Sequence, residues 1–150
     1  MSDTNTELGE VKITRIFDAP RELVFECMTT PEHLTHFWGP PGVSTPIEHI
    51  TMDLRPGGVF ETLMVNDETG EEYPSVGVYV EIDPPAKLVW REQGAADGMI
   101  TSSTFTDLGD GRTEVVIHQT NVPAMYRSPE ALAGFEASLD RFATYLTTLA

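Results

Sequence analysis

Leu132, Phe135, Leu139, Phe142, Leu146 and Leu149 recur at alternating steps of three and four. That spacing is one face of a long amphipathic helix. Ser128, Pro129 and Glu130 precede it. They are an N-cap, a proline at the first helical position and an acid in the first turn. Such a stripe must be covered, and the chain before it consists mainly of strand patterns joined by short turns. One long helix laid on one sheet is a two-layer α+β design.

The strands read as follows. VKITRIF (11–17) opens the chain, and EHITMDL (48–54) leads through RPGG to VFETLMV (59–65). NDETGEE turns the chain into SVGVYVEI (75–82), and DPPA turns it into KLVWREQ (87–93). QGAADG precedes MITSSTFTDL (99–108), and Gly109-Asp110-Gly111 precedes RTEVVIHQT (112–120). The short links predict an antiparallel sheet. Two short helices separate the first two strands. Asp18 or Ala19 is expected to cap APRELVFECM, with Leu23, Val24 and Cys27 as its apolar stripe. Thr30 is expected to cap TPEHLTHFW, with Pro31 at its first position. Gly39 ends that helix, and Pro40 and Pro41 prevent its resumption.

A chain of 150 residues is one ordinary domain, large enough to hold a core without a disulfide or metal. The single Cys27 predicts a reducing, cytoplasmic setting. Residues 1–10 are polar and acidic, unlike a signal peptide, and are expected to be a disordered tail before a domain over 11–150. No apolar run reaches the roughly 20 residues that span a bilayer. Acidic side chains number 24 against 9 basic ones, a net charge of −15 with no basic stripe. Nucleic acid and anionic membranes are repelled by such a surface.

In this order the elements resemble the START-like helix-grip superfamily (SRPBCC). More narrowly, they resemble its AHSA-like branch, related to the C-terminal domain of the heat-shock protein 90 ATPase activator. The stretches that carry the likeness are FDAPRELVFECMTTPEHLTHFWGP, MDLRPGGVFETLM, GVYVEIDPPAKLVW, the Phe-Thr-Asp-x-Gly-Asp-Gly-x-Thr hairpin at 105–113, and GFEASLDRFATYL. The resemblance implies a curved, seven-stranded antiparallel sheet gripping the C-terminal helix in the order β-α-α-β6-α, with a cavity between them. Members bind lipids, hormones or polyketides, and some are cyclases or chaperone cofactors. The heat-shock activators carry a further N-terminal domain, for which these residues leave no room.

Strand alternation assigns the inward face. Glu61, Glu81, Lys87 and Arg91 are placed outward, which turns Phe60, Thr62, Met64, Val78, Val80, Leu88 and Trp90 inward. The same reasoning turns Ile50, Met52 and Leu54 inward, together with Met99, Thr101, Ser103 and Phe105, and Thr113, Val115, Ile117 and Gln119. From that set, the expected ligand contacts are Met52, Phe60, Met64, Trp90 and Phe105, with Thr101, Ser103 and Gln119 orienting a polar end. Phe135 and Leu139 complete them from the helix, and Trp38 of HFWGPPG closes one end.

Chemistry beyond binding has one candidate, Glu92, whose alternation with Leu88 and Trp90 points it inward near a strand end, with solvent past the end of the sheet as the alternative. His33 and His36, with Glu32 beside them, have a metal-like spacing but no third ligand, so neither metal nor cofactor is expected. Cys27 reads as a buried, inert thiol. The expected partner is a small hydrophobic molecule, with a polyketide cyclase- or hydrolase-type enzyme and a chaperone cofactor as alternatives. A homodimer or a chaperone partner is kept in view; nucleic acid and membrane insertion are not.

Overall fold

The computed structural model describes residues 8–93 and 98–149. The strands are β1 (Gly9–Phe17), β2 (Val43–Ser44), β3 (Thr51–Met52), β4 (Val59–Asn66), β5 (Glu72–Asp83), β6 (Lys87–Gln93), β7 (Ile100–Asp107) and β8 (Thr113–Val122). The helices are α1 (Arg21–Thr29), α2 (Pro31–Leu34) and α3 (Pro129–Thr147). One antiparallel sheet runs in the order β1-β8-β7-β6-β5-β4-β2, with β3 paired to β4 off that path. α3 packs across its inner face, which is the α+β helix-grip arrangement.

Several boundaries differ from the sequence expectation, each for a local reason. β1 begins at Gly9, where a register shift lets Gly9 pair with Val122 of β8. Residues 1–7 of the expected tail, and most of the expected QGAADG turn, lie outside the described residues. The expected strand over EHITMDL is broken. Ile47–His49 form a 3-10 turn after Pro46, and only Thr51 and Met52 pair with β4. Leu54, expected inward, is therefore past the ladder and exposed. β2 was not foreseen, so the sheet has eight strands rather than seven.

α2 stops at Leu34, and the chain to Trp38 continues as turns through Phe37 N–H and Trp38 N–H to the Leu34 carbonyl. Neither short helix has a side-chain cap: Pro20 holds the N-cap of α1 in place of Asp18 or Ala19, and Thr30 holds that of α2 without the bond. Ser128 does cap α3, its hydroxyl accepting from Ala131 N–H at 3.1 Å.

One face assignment is reversed. Tyr79, not Val78 or Val80, points inward; it is 1% exposed and Val80 is 51% exposed. A bulge explains this. Tyr79 pairs with Trp90 and Glu81 with Val89, so Val80 is an extra residue in β5. The extra residue lets Glu81 stay outward while Tyr79, two positions away, faces in.

The core is built around the C-terminal half of α3. The ring of Phe142 stacks on Phe37 at 4.2 Å between centroids and lies 4.9 Å from Phe17. Leu139 and Leu146 are buried beside it, whereas Leu149, on the same expected stripe, is 36% exposed beyond the helix end. α1 joins through Phe25, edge-on to Phe105 of β7 at 5.4 Å. Phe142→Ala is expected to cost about 3–5 kcal/mol of stability in urea denaturation. Leu149→Ala is expected to stay within about 0.5 kcal/mol.

Candidate functional site

Between the sheet and the N-terminal half of α3 lies a half-enclosed cavity of about 720 Å³. Small residues on the helix leave it open. Ala131, Gly134 and Ser138 share the face that continues into Leu139 and Phe142, and all of them line the space. Where α3 carries Phe142 and Leu146 the layers meet; where it carries Ala131 and Gly134 they do not.

The sheet supplies the floor in rows set by strand pairing. Ser103 of β7 lies between Leu88 of β6 and Ile117 of β8. One row further along, Thr101 lies between Trp90 and Gln119. Beyond that, Glu92 N–H bonds the Met99 carbonyl at 2.8 Å. At roughly 3.3 Å per residue, the four-residue step from Leu88 to Glu92 spans about 13 Å. Each row thus carries a polar side chain among apolar ones.

At one end, Glu92 is fixed by two donors. Trp90 Nε1 donates to Oε2 at 2.6 Å, and Ser75 Oγ to Oε1 at 3.0 Å. Burial raises the Glu92 carboxyl above its ordinary value, while those two hydrogen bonds pull it partly back. Opposite Glu92, Gly77 carries no side chain. A Cβ there would come within 3.0 Å of the Arg91 carbonyl oxygen and 3.4 Å of Trp90 Cδ1. Glycine lets the indole lie close against β5. In the middle row, Gln119 Nε2 donates to Thr101 Oγ1 at 3.2 Å; at the far end, the buried Ser103 hydroxyl has no hydrogen-bond partner.

The HFWGPPG loop forms the lip. Phe37 is 2% exposed and belongs to the core, Trp38 beside it is half-buried, and both line the cavity. Arg141 of α3 holds the loop through its carbonyls. Its Nη1 donates to Gly39 O at 2.8 Å, Pro40 O at 3.0 Å and Val43 O at 3.2 Å. Ser138 Oγ adds a bond to Phe37 O at 3.3 Å. Gly39 has φ of 97°, and a Cβ there would lie 3.2 Å from Met64 Sδ.

Of the residues expected at a ligand site, Trp38, Met64, Trp90, Phe135 and Leu139 line the cavity, as do Thr101, Ser103 and Gln119. Met52, Phe60 and Phe105 do not. Phe60 lies behind the wall, stacked on Tyr79 at 5.4 Å and edge-on to Trp90 at 5.2 Å. Phe105 faces Phe25, and Met52 packs on the core at the short β3. Tyr73, Ser75, Tyr126 and Glu130 line the cavity without having been singled out. The small residues at 131, 134 and 138, spaced like the apolar stripe, were the available signal for an unfilled layer.

The remaining candidates have other surroundings. His33 Nδ1 lies 2.6 Å from the Tyr145 hydroxyl, and His36 stacks on the same ring at 4.9 Å. Among the described residues no three His, Cys, Asp or Glu side chains gather as metal ligands. Cys27 is fully buried, and burial, helped by the charge of Glu26, pushes its thiol up to about 11. No helix of the described residues is long and apolar enough to cross a membrane.

A long helix gripped by a curved antiparallel sheet, with a cavity under its N-terminal half, defines the class. The family described as "Activator of Hsp90 ATPase homolog 1-like protein" matches residues 18–147, and the chain belongs to that family. Among solved structures it is similar to protein CV1439 from Chromobacterium violaceum, with 24% identity and a TM-score of 0.82 over 90% of this chain and 95% of that one. Protein Ms6760 from Mycobacterium smegmatis shares 24% identity with a TM-score of 0.80, over 99% of each chain. An AHSA1 protein from Silicibacter pomeroyi shares 20% identity with a TM-score of 0.77, over 94% of this chain and 99% of that one. At these identities the likeness concerns the fold. No curated protein matches the chain.

Because burial raises the Glu92 carboxyl, its ionised form burdens the fold. Stability linked to Glu92 is complete where the group is protonated in both states, and is lost as pH rises through its folded value. Glu92→Gln is therefore expected to melt higher than the wild type at neutral pH. The gap should close as pH falls below the ordinary glutamate range, as read from melting curves across that interval.

Proposed function

We propose that the protein binds a small hydrophobic or amphipathic molecule in the cavity under α3. The observation that carries this reading is an apolar space of about 720 Å³ with a few polar side chains, Thr101, Ser103 and Gln119 among them, in its lining. Its size is that of small-molecule sites, roughly 300–1,000 Å³, and its few polar groups converge from separate strands. The apolar remainder supplies the drive, roughly 25 cal/mol for each Å² removed from water. The half-buried Trp38 ring is placed to cover one side of such a guest.

A second reading, cyclase- or hydrolase-type chemistry on a bound molecule, has Glu92 in its favour. A carboxyl whose proton affinity is raised by burial at a cavity wall is the kind of group that can take or give a proton. Turnover of a bound compound that Glu92→Gln abolishes while leaving binding intact would establish it; binding without turnover would leave the first reading alone.

The direct test fills the space. Ala131→Trp puts an indole into the cavity from a half-buried position on α3. Lipids, aromatic polyketides and steroid-like compounds are expected to raise the melting temperature of the wild type and not that of the folded variant. If no compound shifts the wild type, or if both shift equally, the cavity is not the binding site.

A further inference from the structure

We propose that the cavity selects molecules with a cationic, amine-type head and an apolar body, and discriminates against carboxylate-headed amphipaths. This rests on the ligand-binding reading above and names the chemistry the same site would take.

The charge of the lining is one-sided. Glu92 and Glu130 line the cavity, and no Lys, Arg or His does so among the described residues. A carboxylate guest would lose its water without meeting a cation, which is costly in an apolar space. It would also approach a protein of net charge −15. The N-terminus of α3, which would favour an anion, is already compensated. There Ser128 already accepts the Ala131 N–H, and Glu130 places a carboxylate in the first turn.

An ammonium head meets the opposite situation. Trp90 and Ser75 hold the Glu92 carboxylate in one orientation and occupy one acceptor site on each oxygen. A carboxylate offers about four such sites, so acceptor capacity remains for a guest. Burial makes the ionised carboxylate costly in the empty cavity, and a bound cation offsets that cost. The aromatic rings of Trp38, Trp90, Tyr73 and Phe135 stand around the same space, and their faces favour cations over anions. The body of the guest would lie along the floor toward Ser103.

The test uses three probes with one flexible tail: decylamine, decanol and decanoate. Each is titrated by calorimetry into the intact protein at neutral pH and physiological salt. Decylamine is expected to bind at least about tenfold tighter than decanoate, with decanol between them. In Glu92→Gln the amine is expected to lose about tenfold while decanol stays nearly unchanged. Glu48→Gln removes the same charge from an exposed site outside the cavity and is expected to change neither. Decanoate binding as tightly as decylamine overturns the proposal. So does an amine preference that Glu92→Gln and Glu48→Gln reduce equally, since it would then come from the general surface charge. Decanol binding in those cases keeps the ligand-binding reading intact. Failure of all three probes to bind removes that reading, and this one with it.

Discussion

Phe142 sits between the rings of Phe17 and Phe37, and the placement of the whole C-terminal helix depends on that contact. It joins the first strand, the turn after the second helix and the last helix, three segments far apart in sequence. With the C-terminal half of α3 pinned there, its N-terminal half is held above the sheet at a similar height. Ala131 and Gly134 are too small to reach across, so the gap persists. The cavity follows from a change in side-chain size along one helix face.

The same helix controls the lip. Arg141 gathers the carbonyls of Gly39, Pro40 and Val43. That arrangement carries Phe37 into the core and leaves Trp38 at the opening. The cavity wall and the core plug are therefore one rigid piece, anchored to the element that also forms the roof. Glu92 gains its position in a comparable way. The side chain is held by Trp90 two residues back on its own strand and by Ser75 on the next, with Gly77 making room between them.

Much of this was legible in the chain. Alternation assigned Thr101, Ser103 and Gln119 to one face because regular strands have a strict period of two. The stripe on α3 and its Ser128 cap were readable for the same kind of reason, a period close to 3.6 and a local hydrogen bond. Where a local rule was interrupted, the reading failed. The bulge at Val80 shifted β5 by one residue and exchanged Tyr79 for Val78 and Val80. The early end of the β3 ladder exposed Leu54. Phe60, Met52 and Phe105 were on the correct face, but facing inward does not distinguish a wall residue from one behind it.

By itself, then, the sequence determined the two-layer α+β architecture, most strand faces, the net negative charge and the family, because each rests on local periodicity, composition or motif order. Only the tertiary structure decided which inward residues meet open space and which meet other side chains. It likewise decided that Glu92 is half-buried at a cavity wall, with two donors holding it, rather than solvated past a strand end. Those outcomes depend on which distant side chains share a volume. Ring contacts such as Phe17 with Phe142, and gaps such as that beneath Ala131 and Gly134, exist only once β1, the HFWGPPG loop and α3 have been brought together.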